Sequence, residues 1–227
     1  MNIARLLAGF AFITVLSAQT PVRVASITAV GQASVSVTPD LALVDVGVAT
    51  QAATAQDASQ QNATQAGTVI SALQALLGTT ASIKTISYSV SPVYNNPGAG
   101  QNATIVGYLV INIVEVRLTD LTLVGKVIDT AIQSGANRVQ GVSFGLQDNT
   151  TSVAQVLKKA ASSALSQAAA IASGLNVHTG AVLHASEGVN TANPTGVAPI
   201  AGGASTPIET GMVVIQASVT IDVAITP

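Results

Sequence analysis

Residues Gly141–Gly145 read GVSFG. The run fits G-x-S-x-G, the elbow that holds a nucleophilic serine on a sharp turn between a strand and a helix. The chemistry would be acyl transfer: a histidine takes the Ser143 proton, and the hydroxyl attacks an ester carbonyl. The strand must then end at the serine, a helix must begin at once, and a carboxylate must orient the histidine. Alternation instead runs straight through. Val142, Phe144 and Leu146 fall on one face, and Val139, Gly141, Ser143 and Gly145 on the other. The next helix signal comes only at Asn149 or Thr150. His178 and His184 are the only histidines, and Asp148 is the one acid between Ser143 and His178. Asp148 is too close to Ser143 for the usual order of a triad. Ser143 is therefore read as a mid-strand residue on a face of small side chains where something packs closely. A serine esterase remains as an alternative that a Ser143→Ala variant tests.

The other reactive residue types yield no better constellation. His178 and His184 lie on one strand and one face, with Glu187 nearby. At roughly 3.3 Å per residue they stand about 20 Å apart, too far to share a metal. They are read as exposed strand residues. SGANRVQG, residues 134–141, has the glycines of a phosphate loop. It follows a helix C-terminus, whose dipole repels phosphate. Gly135 is better read as a helix C-cap and Asn137 as a turn residue. No pair of carboxylates stands out among the acids. Cysteine is absent, which excludes disulfides, thiolate metal sites, a cysteine nucleophile and a lipid-bearing cysteine. No catalytic, cofactor-binding or metal-binding residue is assigned; no cofactor is expected, and the protein is expected not to be an enzyme.

Composition points elsewhere. Only 8% of the 227 residues are charged, whereas 48% are hydrophobic and 3% aromatic. The 8 basic and 10 acidic residues give a net charge of -2 and form no basic patch, so nucleic acid is not an expected partner. The N-terminus carries Arg5, an apolar run Leu6–Leu16 and small residues Ser17-Ala18. That is the pattern of a secretory signal peptide, here residues 1–18, with the mature chain starting near Gln19. The mature protein is expected to be periplasmic or secreted.

Elements follow from periodicity. Ser26–Val37, with a central Gly31, and Leu41–Thr50 read as a hairpin with one bulge or glycine kink. Thr54 with Asp57 forms a capping box for a helix whose stripe is Ala58, Asn62, Ala66, Val69, Leu73 and Leu76, closed by Gly78. Ile83–Tyr94 and Thr104–Leu118 are strands, and the second is apolar on both faces. Asp120 caps a helix with stripe Leu121, Val124, Ile128, Ala131 and Ile132, ended by Gly135. After the strand Arg138–Gln147 comes a third helix with stripe Val153, Leu157, Ala160, Ala164, Ala168 and Ile171, closed by Gly174. Val177–Gly188 is a strand, residues 189–210 a long mobile loop, and the alternating segment from Met212 a half-buried strand. The order ββαββαβαββ implies an α+β fold: one antiparallel or mixed sheet of about seven strands, with about three helices packed on one face. Residues 19–227 are taken as one domain.

The assembled motifs resemble one family. VTPDLALVDVGV, QNAT, SVSPVY, GYLVINIVEV, DLTLVGKVIDTAIQSGANRVQGVSFGL and STPIETGMVVIQASVTIDVAI are together similar to the SIMPL-domain proteins, described as periplasmic immunogenic or oxidative-stress defence proteins. The resemblance covers about residues 27–225. It implies an exported α+β protein that self-assembles, in some cases into ring-like oligomers, and it carries no catalytic residues. One departure is the third helix, LKKAASSALSQAAAIASG, which is poor in charge for this family. The expected function is an exported, non-enzymatic, self-assembling envelope protein linked to stress defence. Its expected partners are copies of itself and other envelope proteins. The alternative is a periplasmic binding module for a small molecule or peptide, with residues 189–210 as a lid.

Overall fold

The computed structural model describes residues 24–78, 82–95, 102–192 and 208–227. The chain runs β1 (Ser26–Val37), β2 (Leu41–Ala52), α1 (Ala55–Leu77), β3 (Ser82–Tyr94), β4 (Ile105–Leu118), α2 (Val124–Gln133), β5 (Arg138–Gly145), α3 (Thr150–Gly174), β6 (His178–Ala192) and β7 (Val213–Thr226). The fold is α+β, and the element order is the one read from the sequence. The expected leader, residues 1–18, lies outside the described residues, as do residues 193–207 of the expected loop. Residues 189–192 belong to β6, so that strand runs four residues beyond its expected end.

The strands form two sheets rather than one, with orders β1-β7-β6 and β3-β4-β2-β5. Every pairing is antiparallel. The four-stranded sheet carries α1 and α2 on one face, around Val44, Val46, Val69, Leu73, Val116, Val127 and Phe144. The three-stranded sheet carries α3, around Ile27, Ala160, Ala164, Ile215 and Ile221. The two buried clusters are separate.

The expected β1–β2 hairpin does not form. β1 pairs with β7 across its full length, and β2 lies between β4 and β5. The burial patterns give the reason. β2 is buried or half-buried at nearly every position, as a central strand must be. β1 alternates buried Ile27, Ala29 and Gly31 with exposed residues, as suits a one-sided edge strand. At Asp40 the backbone N–H donates to Gly145 O (3.1 Å) and opens the β2–β5 ladder, so Pro39-Asp40 carries the chain between sheets.

Helix α1 starts as expected: Thr54 Oγ1 accepts from the Asp57 N–H at 3.1 Å. It ends at Gly78, at φ 81°. Of the expected stripe, Ala58, Asn62, Ala66, Val69 and Leu73 are buried. On α2 the buried positions include Val127 in place of the expected Ile132, which is 52% exposed. On α3 the seam is Val156, Ala160, Ala164, Ala168 and Ala172; Val153 and Leu157 flank it and Ile171 is exposed. The approach to β1 selects alanine there. A Cβ placed on Gly31 would lie 2.1 Å from Ala160 O and 2.2 Å from Ala164 N. Gly31 is thus a contact point for the helix backbone rather than a kink. Gly174 belongs to α3, and the left-handed residue after the helix is Asn176, at φ 55°.

Candidate functional site

Ser143 sits inside β5 with its Cα opposite Leu43 of β2, and α3 begins only at Thr150. No elbow forms. Asp148, the acid of the triad reading, accepts from the Thr150 hydroxyl (2.5 Å) and the Thr150 N–H (2.8 Å). The hydroxyl bond first, then the backbone bond, hold its carboxyl below the usual range. It is a local capping group for α3. A small hollow of about 230 Å³ does border Ser143, lined also by Leu41, Leu43, Asn149 and Thr191, but neither histidine nor Asp148 reaches it. The expected close packing on Ser143's face does not extend to Gly141, where a Cβ would meet no atom within 4 Å.

The histidines are closer than strand arithmetic suggested. His178 lies opposite Thr226 and His184 opposite Asp222. Register shifts between Thr179 and His184 absorb two residues of β6, so four β7 residues span the gap. At the strand rise this is about 13 Å, still too far to share an ion. Glu187 lies opposite Val219, which faces α3, so Glu187 is on the other side of the sheet from both histidines. Among the described residues no group of three or more His, Cys, Asp or Glu side chains could hold a metal ion.

The glycine-bearing start of SGANRVQG, residues 134–137, is engaged as structure. Gly135 has φ 109° and its carbonyl accepts from Gln65 Nε2 at 2.6 Å. The Gly135, Ala136 and Asn137 N–H groups donate to Ile132, Ala131 and Gly47 carbonyls, leaving none for a phosphate. Asn137 is more than a turn residue. Its side-chain amide bonds both backbone groups of Ala49, at 2.8 Å each, and so extends the β2–β5 ladder by imitating a peptide unit.

The fold does assemble one group that scanning the chain could not reveal. On the helix-free face of the four-stranded sheet, Asp45 stands opposite Glu115 across β2 and β4. Lys84 of β3 pairs with Glu115 at 2.9 Å. Arg117 and Arg138 project from the same face, in the rows on either side. One Asp45 carboxylate oxygen is buried without a hydrogen bond. Burial first, then the facing Glu115, push the Asp45 carboxyl up, while Lys84 opposes them. No sequence signal marks this pair, because β2 and β4 are joined through α1 and β3 and their register is a tertiary fact.

The rest of that face is mixed: Leu109, Ile111 and Ile113 of β4 are apolar, whereas Ser87, Ser89 and Ser91 of β3 lie opposite them. Ile113 is 1% exposed although no helix covers it, because it lies across Gly47, where a Cβ would sit 2.5 Å from Ile113 Cδ1. Leu109 and Ile111 are half-buried. The exposed apolar residues concentrate instead on the β3–β4 hairpin: Ile86, Tyr88, Val90, Tyr94, Ile105 and Val106 are each more than 40% exposed. No helix among the described residues is long and apolar enough to cross a membrane.

Comparison with known proteins places most of the chain in one family. Residues 27–223 match the family model described as SIMPL, protein of unknown function (DUF541). The 26 kDa periplasmic immunogenic protein of Brucella melitensis is 30% identical over 184 residues, 79% of this chain and 72% of that protein. The Brucella abortus protein of the same name matches to the same extent. The uncharacterized protein YggE of Escherichia coli is 24% identical over 192 residues, 85% of this chain and 77% of its own. The match spans nearly the whole of the described fold, from β1 into β7, and this chain belongs to the SIMPL family.

Proposed function

We propose that the protein is an exported, non-enzymatic component of the bacterial envelope that acts as a homo-oligomer, with a role in stress defence. The observation that carries this reading is the apolar surface of the β3–β4 hairpin. Ile86, Tyr88, Val90, Tyr94, Ile105 and Val106 stand exposed together, and all three tyrosines of the chain lie on these two strands. Exposed aromatic and aliphatic clusters of this kind mark association surfaces. The chain has few charges with which to keep such a surface dispersed, and a mean hydropathy of +0.55. A second copy is the simplest cover. Export is supported by the leader-like first 18 residues and by the periplasmic description of the Brucella relatives. The absence of an enzymatic role rests on the non-elbow geometry of Ser143 and the separation of the histidines.

The test is light scattering on the mature protein. The wild type should be an oligomer at micromolar concentration. Val90→Glu, at an exposed edge position, should dissociate it without unfolding it, whereas a charge at Leu109 or Ile111, half-buried on the opposite face of the sheet, should leave this surface intact. A stable, well-folded wild-type monomer would sink the proposal.

A further inference from the structure

A second surface stands apart from the hairpin and has different chemistry. The helix-free face of the three-stranded sheet holds an open hollow of about 650 Å³. Two adjacent rows of the ladder build it. Gln32, Ser218 and Gly188 align across β1, β7 and β6 in one row, and Ser34, Gln216 and Asn190 in the next. Gly188 leaves the floor open, since a Cβ there would meet no atom within 4 Å. The five polar side chains make no hydrogen bond among the described residues. They present amides and hydroxyls, each able both to donate and to accept.

No charge enters either row. On these three strands the nearest acidic side chain on this face is Asp222, two rows away, about 13 Å along the strands. Glu187 points to the opposite side. A phosphate, a metal ion or a charged peptide would therefore find no counter-charge here, and an apolar ligand would leave the amides unpaired. An extended peptide would pair with a sheet edge rather than lie on a face. A neutral polyhydroxylated ligand meets every condition, because each sugar hydroxyl also donates and accepts. The volume falls within the range of small-ligand sites, about 300–1,000 Å³.

We propose that this hollow, centred on Gln216 and Gly188, is a binding site for a neutral oligosaccharide. Binding is weak and polar, since the face offers no aromatic platform for a sugar ring. The inference does not rest on the self-assembly reading, and the two fail separately: Val90→Glu should leave sugar binding intact.

Isothermal titration of the mature protein with maltotriose and with tri-N-acetylchitotriose tests it. At least one should bind with a Kd of about 1–10 mM, a range suited to a ligand held by a few hydrogen bonds. Gln216→Ala, an exposed substitution that the fold tolerates, should weaken binding about tenfold. Affinity should be the same at low and high salt, as befits an uncharged ligand. Hydrogen exchange should slow at residues 186–190 and 214–218. The proposal is overturned if neither sugar binds at about 50 mM, if Gln216→Ala binds like the wild type, or if binding falls steeply with salt.

Discussion

Asp45 is the residue whose surroundings disagree most with its chemistry. It faces another carboxylate, keeps one oxygen buried and unpaired, and the cation that opposes its shift, Lys84, is already committed to Glu115. Like charges directly opposite on neighbouring strands destabilise a sheet. The sign of the pH dependence follows from the raised carboxyl. The folded state holds this proton more tightly than the unfolded chain does. Stability is therefore lost as pH rises from the ordinary carboxylate value through the raised folded one. Above that window the deficit is complete. Asp45→Asn should remove it, stabilising the protein by about 0.5 kcal/mol at neutral pH and by nothing at about pH 3, where the carboxyl is protonated in both states. Thermal melts of both proteins across that range check the prediction, and a destabilised variant at neutral pH would refute it.

Among the elements, α3 and β1 make the contact least tolerant of change. The helix backbone rests on Gly31, and alanines at 160, 164, 168 and 172 let it come that close. Gly31→Val should cost at least about 3 kcal/mol by overpacking, seen as a drop in denaturation midpoint. A melting temperature within a few degrees of the wild type would show that the seam can open.

This seam also shows what a sequence can and cannot disclose. The elements themselves were legible: Thr54 with Asp57 set the start of α1, Gly78 its end, and strict alternation from Val213 to Val223 announced β7. Local physics fixes such features within a turn or two of chain. The pairing of β1 was not legible, because Pro39-Asp40 looks the same whether it closes a hairpin or crosses between sheets. Nor was the close role of Ala172, since an alanine stripe bears little hydrophobic signal and the larger Ile171 outweighs it by type. For the candidate sites the sequence served mainly to exclude. It showed that Ser143 lacks a following helix. It could not show that Asp45 meets Glu115, or that Gln32, Gln216 and Asn190 share a face, because both depend on strand register.

At the scale of the whole molecule, export is the claim with the plainest measurement. Protein recovered from the periplasm or medium of the native host should begin near Gln19. N-terminal sequencing that finds intact Met1 in cytoplasmic protein would remove the envelope assignment and leave the fold untouched.

The place of β7 bears on how such a chain is made. It is the last strand in sequence and the middle strand of its sheet, with Ser26 opposite Ala224 and Ala192 opposite Val214. A chain that emerges N-terminus first exposes β1 early and offers it no ladder partner until Val213–Thr226 appears. The four-stranded sheet has all its strands by Gly145 and can close sooner. Maturation is thereby divided into an early half and a late half, the late one waiting until Val213–Thr226 has been made. A product broken off before Val213 leaves β1 and β6 without their common neighbour and α3 without the β7 part of its floor. Proteases can thus tell finished chains from unfinished ones by a single strand.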